Sequence, residues 1–134
     1  MMRRDSLDEQ IKQKITSIIE DVNSNGLRWK SEHKRLYHLL KRKKRGHIPD
    51  DFTIEDYERY IHNIINGIEN EIYLYSIYEE DYFVFGDKRS KWVVFISKSH
   101  IIDTAFLVDK TSYENYVSKE DGYIFLGTLK EVLK

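Results

Sequence analysis

The spacing of apolar residues changes period once along this chain, near residue 70, and that switch limits the fold classes open to it. Before it the period is helical. Leu7, Ile11, Ile15, Ile18 and Val22 fall on one face of a helix, and so do Tyr57, Ile61, Ile64 and Ile65. After it, four runs rich in β-branched and aromatic residues read as strands: Ile72 to Tyr78, Tyr82 to Phe85, Lys91 to Ile96 and Ile101 to Val108. The segments between them, Glu79 to Asp81, Gly86 to Ser90 and Ser97 to His100, are too short for a parallel crossover, so neighbouring strands run antiparallel. The expected fold is α+β, with about three N-terminal helices followed by a four-stranded antiparallel β-meander. Ser112 to Val117 adds a helical turn or two, and Tyr123 to Leu126 a short strand or an apolar tail.

Local signals set the boundaries. Ser6 with Glu9 makes a capping box for the first helix, which Asn25-Gly26 stops. Ser31 caps a second helix that Gly46 ends, and Thr53 with Asp56 opens a third that runs up to Gly67. A chain of 134 residues has the size of one domain. Its parts are an N-terminal helix over 1–27, the second and third helices over 28–67, the sheet over 71–108 and a C-terminal segment over 109–134. One proline and no long polar tract leave little room for a linker.

Charge is distributed unevenly over this frame. Residues 28–47 hold nine Lys or Arg against one Glu, and three of the five histidines; residues 50–81 hold one basic and ten acidic groups. The formal net charge of −1 therefore hides a dipolar molecule. Dense positive charge suits a polyphosphate ligand, and histidine moves protons near neutral pH. The competing reading is that the acidic stretch packs beside the basic helix and neutralises it, or that both are solvated faces. The absence of cysteine excludes disulfides, thiolate zinc sites and cysteine nucleophiles. With no signal-peptide core and no run of membrane-spanning length, the chain reads as cytoplasmic with no membrane partner, unless it is a piece of a longer exported protein.

On a helical wheel for residues 31–45, Leu36, Leu39 and Leu40 share one side, and Lys34, His38, Lys41, Arg42 and Arg45 occupy the other. If the second side lines a cleft against the sheet, a phosphate held by its cations lies beside an imidazole. If it faces water, it is an electrostatic footprint. His33, at the border of the two sides, reads as structural. His47 follows Gly46 and is either a C-cap residue favoured by the helix dipole or a proton carrier. His62 reads as a surface residue and His100 as a solvated turn residue. Asp50, Asp51, Glu55 and Asp56 serve a helix start better than a metal, so no metal and no cofactor is expected. The tyrosines of the strands read mainly as half-buried packing, with base stacking as the alternative.

Several of these segments carry a resemblance. The histidine-bearing basic segment is followed by the Tyr57-x-x-x-Ile61-x-x-Ile64-Ile65 helix, by strands with Tyr75 and Tyr82-Phe-Val-Phe, by Trp92-Val-Val-Phe-Ile and by Ile101-Ile-Asp-Thr-Ala-Phe. That order resembles the barnase, EndoU, colicin and RelE-like ribonuclease superfamily, and within it the phage-associated and polymorphic-toxin branches. His38-Leu-Leu-Lys-Arg-Lys-Lys-Arg-Gly-His47 resembles the paired-histidine segment, with a longer spacer, and Thr104-Ala-Phe106 resembles the strand signature. The resemblance implies metal-independent RNA cleavage, in which a 2′-hydroxyl attacks the adjacent phosphate. It implies His38 or His47 as base or acid, Lys34 and Arg42 as phosphate stabilisers, Thr104 as a positioning hydroxyl, and Lys41 and Arg45 as backbone contacts. The expected partners are RNA, such as tRNA or ribosomal RNA, and an inhibitor or immunity protein. The late strands depart from the pattern: His100, Arg89 and Lys91 fall in turns or at strand starts, and Asp103 precedes Thr104. The alternative function is a non-catalytic nucleic-acid-binding or regulatory module of the immunity or antitoxin kind.

Overall fold

The computed structural model describes residues 2–134, with side chains from Glu9 onward. Its elements are α1 (Met2–Asn25), β1 (Arg28–Trp29), α2 (Glu32–Lys44), α3 (Ile54–Ile65), β2 (Glu71–Ile77), β3 (Glu80–Asp87), β4 (Trp92–Ser97), β5 (Ile101–Leu107), α4 (Tyr113–Tyr116), β6 (Ile124–Thr128) and α5 (Leu129–Val132). A 3-10 turn over Lys119–Asp121 lies between α4 and β6. The α+β class holds, and β2 to β5 form the expected meander.

The sheet is larger than a four-stranded meander. Six strands run in the order β1-β5-β4-β3-β2-β6, with β1 parallel to β5 and β6 antiparallel to β2. The two extra strands are short and lie at the edges, where little alternation exists to betray them. Tyr123 to Leu126 thus contributes to a strand, and α5, which the sequence reading did not expect, follows it. The first helix also departs from expectation: it already runs from Met2, so Ser6 lies within it and does not start it. The inward placement of Leu7 lies outside the residues whose side chains are described.

Other caps form as the sequence dictates. The Ser31 hydroxyl accepts from the Lys34 N–H, and Thr53 and Asp56 exchange hydrogen bonds in a capping box. At the end of α2, Gly46 takes φ 72°, the His47 N–H reaches the Arg42 carbonyl at 2.9 Å and the Gly46 N–H reaches that of Lys43 at 3.0 Å. This left-handed closure turns the chain sharply and sets His47 beside Arg42.

Apolar side chains pack on both faces of the sheet. On one face, Ile15, Ile18 and Val22 of α1 and Tyr57, Ile61, Ile64 and Ile65 of α3 meet Phe83, Phe85, Val94, Ile96, Ile102 and Ala105. The Tyr57 hydroxyl donates to the Ala105 carbonyl at 2.7 Å, which ties α3 to β5. On the other face, Val84, Val93 and Phe95 pack against Val108, Tyr113, Val117 and Tyr123 of the C-terminal segment. With both faces covered, every residue of β4 is buried. Gly86 makes the second layer possible: it stands opposite Glu71, and the Tyr113 hydroxyl passes over it to donate to Glu71 Oε1 at 2.9 Å. No helix among the described residues is long and apolar enough to cross a membrane.

Helix α2 buries only Leu39 and Arg42 and lies beside the β1–β5 side of the sheet. Leu36 and Leu40, expected on its apolar side with Leu39, are 42% and 64% exposed. The leucine side of the wheel therefore packs at one position only. Trp29 and Arg35 fix the helix to α3: the Trp29 Nε1–H donates to Glu58 at 2.8 Å, and Arg35 donates to both Glu58 oxygens at 2.9 and 3.0 Å.

Candidate functional site

A cleft of about 780 Å³ opens between α2 and the second face of β3, β4 and β5, and the chain from Val108 to Tyr116 forms its far wall. The i, i+4, i+4, i+3 spacing of Lys34, His38, Arg42 and Arg45 turns these residues toward it. All seven residues singled out from the sequence line it: His38, His47, Thr104, Lys34, Lys41, Arg42 and Arg45. Lys30 and Lys110 add two further cations. Among the described residues, none of these six Lys and Arg side chains has a carboxylate oxygen within 4.0 Å.

The neutralisation of the basic helix by the acidic stretch is therefore partial. Glu58 and Glu55 pair with Arg35, on the side of α2 away from the cleft. On the cleft side Glu80, Asp103 and Asp109 also line the walls, but none comes within 4.0 Å of the cleft cations.

Arg42 is the least solvated of the cations, at 4% exposure. Its Nη1 lies 3.1 Å from His47 Nδ1, its guanidinium carbon lies 5.6 Å from the centre of the Phe106 ring, and its Nε is buried with no partner. Burial lowers its pKa from the ordinary value, though an arginine so placed remains charged. Phe106 gives the cation a π face in place of some of its lost hydration. A buried guanidinium without a carboxylate is costly for a fold.

His47 is held at both of its ring nitrogens. Its Nδ1 faces Arg42 Nη1 and also the Leu107 N–H at 3.3 Å, while Nε2 lies 2.9 Å from Asp109 Oδ2. Two donors aimed at Nδ1 require a lone pair there, which assigns the proton to Nε2 and lets it donate to Asp109. The side chain is 3% exposed. Both nitrogens are thus engaged, and His47 holds the Arg42 guanidinium in place. Asp109, which the sequence did not single out, completes the chain Asp109–His47–Arg42.

His38 is the free imidazole. It stacks on Trp29 at 5.6 Å between ring centres and meets Tyr37 edge-on at 5.5 Å. Among the described residues, its Nδ1 is buried without a partner and the ring makes no hydrogen bond. Burial first, then the charges of Arg42, Lys41 and Lys34, pull its pKa from 6.5 to about 4. At neutral pH it is uncharged and able to accept a proton. His33 is exposed and lies outside the cleft, and His100 is held by Asp21 at 2.9 Å in the turn before β5.

Thr104 stands opposite Phe95, and a β-bulge follows, because the next pairing is Ile96 with Ile102. Asp103 is the extra residue, and with Glu80 and Tyr82 it lines the same cleft. Glu80 escaped the sequence reading and Asp103 entered it only as the residue before Thr104, because nothing local marks either as part of a site; only the folded register gathers them. Among the described residues, no three His, Asp or Glu side chains cluster in a way that could hold a metal ion. No family model matches the chain, and neither a curated protein nor a solved structure matches it.

Proposed function

We propose that this protein is an endoribonuclease that cleaves RNA without a metal ion, by attack of a 2′-hydroxyl on the adjacent phosphate. One observation carries the reading. Arg42, buried and without a carboxylate partner, faces a cleft that also holds a neutral, unbonded imidazole at His38 and a hydroxyl at Thr104. The likeness of His38–His47 and Thr104–Phe106 to the barnase, EndoU, colicin and RelE-like superfamily supports the same chemistry.

In this reaction His38 takes the proton of the 2′-hydroxyl as its oxygen bonds to phosphorus. The bond from phosphorus to the 5′-oxygen breaks, and that oxygen takes a proton from water. The products end in a 2′,3′-cyclic phosphate and a 5′-hydroxyl. Arg42 and Lys34 stabilise the charge that grows on the phosphoryl oxygens, and Thr104 donates to one of them. Lys41, Arg45 and Lys110 hold the flanking backbone and contribute affinity without choosing bases. His47 keeps the Arg42 guanidinium in place.

A second reading rests on a specific feature: with both nitrogens of His47 engaged, the cleft has one free histidine where acid–base cleavage uses two proton carriers. On that reading the cleft binds RNA without cutting it. Incubation with total tRNA or ribosomal RNA in excess chelator separates the two. Cleavage that yields cyclic-phosphate ends, drops about 100-fold or more in His38→Ala and keeps its RNA affinity there supports the nuclease. In His47→Ala, affinity and rate fall together, because Arg42 loses its brace. Salt-sensitive retention of uncut RNA by the wild-type protein leaves the binding module standing instead.

A further inference from the structure

Helix α2 carries a second concave surface on its outer side. Tyr37, Leu40, Lys41, Lys44 and Arg45 enclose a groove of about 490 Å³. Its floor is apolar and uncovered, with Tyr37 46% and Leu40 64% exposed. The ammonium groups of Lys34 and Lys41 each lie 5.7 Å from the centre of the Tyr37 ring. Among the described residues, Lys41, Lys44 and Arg45 have no carboxylate within 4.0 Å.

Two facts say what covers this surface. Lys41 and Arg45 line both the groove and the large cleft, so the two are joined along a ridge of cations. A polyanion leaving the cleft across that ridge meets a flat aromatic ring next. The ligand must therefore repeat negative charge along its length and offer an apolar face between charges. A nucleic-acid strand does both, and only an unpaired base has a face free to stack on a tyrosine. A duplex keeps its bases stacked on one another and offers Tyr37 nothing.

We propose that this groove is a second nucleotide subsite, in which an unpaired base of the RNA held by the cleft stacks on Tyr37 and Leu40 while its phosphates lie on Lys44 and Arg45. The proposal rests on the polyanion-binding part of the functional reading and not on the cleavage step. It names single-stranded RNA that extends past the cleft as the ligand class. Stacking on one aromatic platform changes binding by about tenfold or more.

The test uses the full chain and fluorescein-labelled 2′-O-methyl oligouridylates, which cannot be cleaved, of about three and about eight nucleotides. Fluorescence anisotropy should show the longer probe bound more tightly by the wild-type protein. The Tyr37→Ala, Leu40→Ser double variant should lose about tenfold in affinity for the long probe and nothing for the short one. Tyr37→Trp should keep the long-probe affinity, and unchanged thermal unfolding of both variants shows that the fold is intact. Annealing the long probe to its complement should remove the length advantage.

Equal binding of the long probe by wild type and double variant overturns the proposal, and leaves the groove to a partner such as an acidic protein. Equal losses for both probes also overturn it, as does failure of the wild type to bind either one. Because the probes are inert, length-dependent binding without RNA cleavage in the parallel assay refutes the nuclease reading alone.

Discussion

Arg42 and His38 share one helix face, and each sets the state of the other. The Arg42 charge is among the causes that depress the His38 pKa to about 4, after burial itself. A bound phosphate neutralises that charge along with those of Lys41 and Lys34. Inorganic phosphate should therefore raise the His38 pKa, as read by imidazole proton shifts, and raise it by less in Arg42→Met, where only the charges of Lys41 and Lys34 remain to be neutralised. Without ligand, the sign of the stability effect also follows. Between pH 6.5 and about 4 the unfolded chain binds a proton at His38 that the folded chain refuses. Stability from this group is complete above pH 6.5 and is lost as pH falls through about 4. His38→Gln should flatten that part of the pH profile measured by urea unfolding; an unchanged slope would assign the acid sensitivity to other groups. Spacing alone made these two residues legible in the sequence. Asp109 and Asp103 were not, because an isolated acid in or after a strand acquires its meaning only from the distant residue that folding brings to it.

At the scale of elements, legibility follows length and period. The four central strands were readable because each carries a run of β-branched and aromatic residues. β1 has two residues, too few for any period, and β6 contains Gly127 and a register shift against Ile72 and Tyr73 of β2. Helix α2 misled in another way. Its three leucines looked like a core stripe, yet the helix sits at the side of the sheet, where one leucine suffices. The second-face layer is the least readable element of all, since it depends on Tyr113 crossing above Gly86. In Gly86→Ala the new methyl group would overlap the Tyr113 hydroxyl, and its bond to Glu71 would break. The expected cost is about 1–3 kcal/mol in chemical unfolding. RNA affinity should fall as well, because the Val108 to Tyr116 wall of the cleft moves with Tyr113. A loss of stability with full RNA affinity would show that the wall is held independently.

Over the whole molecule, a near-neutral sum conceals which charges are spent. Arg28 is paired with Asp21, and Arg35 with Glu58 and Glu32, so these two bases of the 28–47 segment serve the fold. The cations of the cleft are left without such partners among the described residues, and on the proposed function they serve the RNA. Counterion release counts only the second group, and each contact to single-stranded RNA adds about 0.7 to the slope of log affinity against log salt. Lys41→Gln should reduce that slope by about this amount, while Arg35→Gln should leave it in place and lower stability instead. Identical slopes in the two variants would mean that pairing in the fold does not decide which charges the RNA senses.

The bulge in β5 joins these scales. Strict alternation would send Ile102 and Thr104 to the same side of the sheet, yet Ile102 belongs to the core under α1 and α3, and Thr104 opens on the cleft. One extra position separates the two destinations. For the register of β5, the count of residues there matters independently of their identity. Exchange of Asp103 alters a side chain, but loss of its codon would invert one end of the strand.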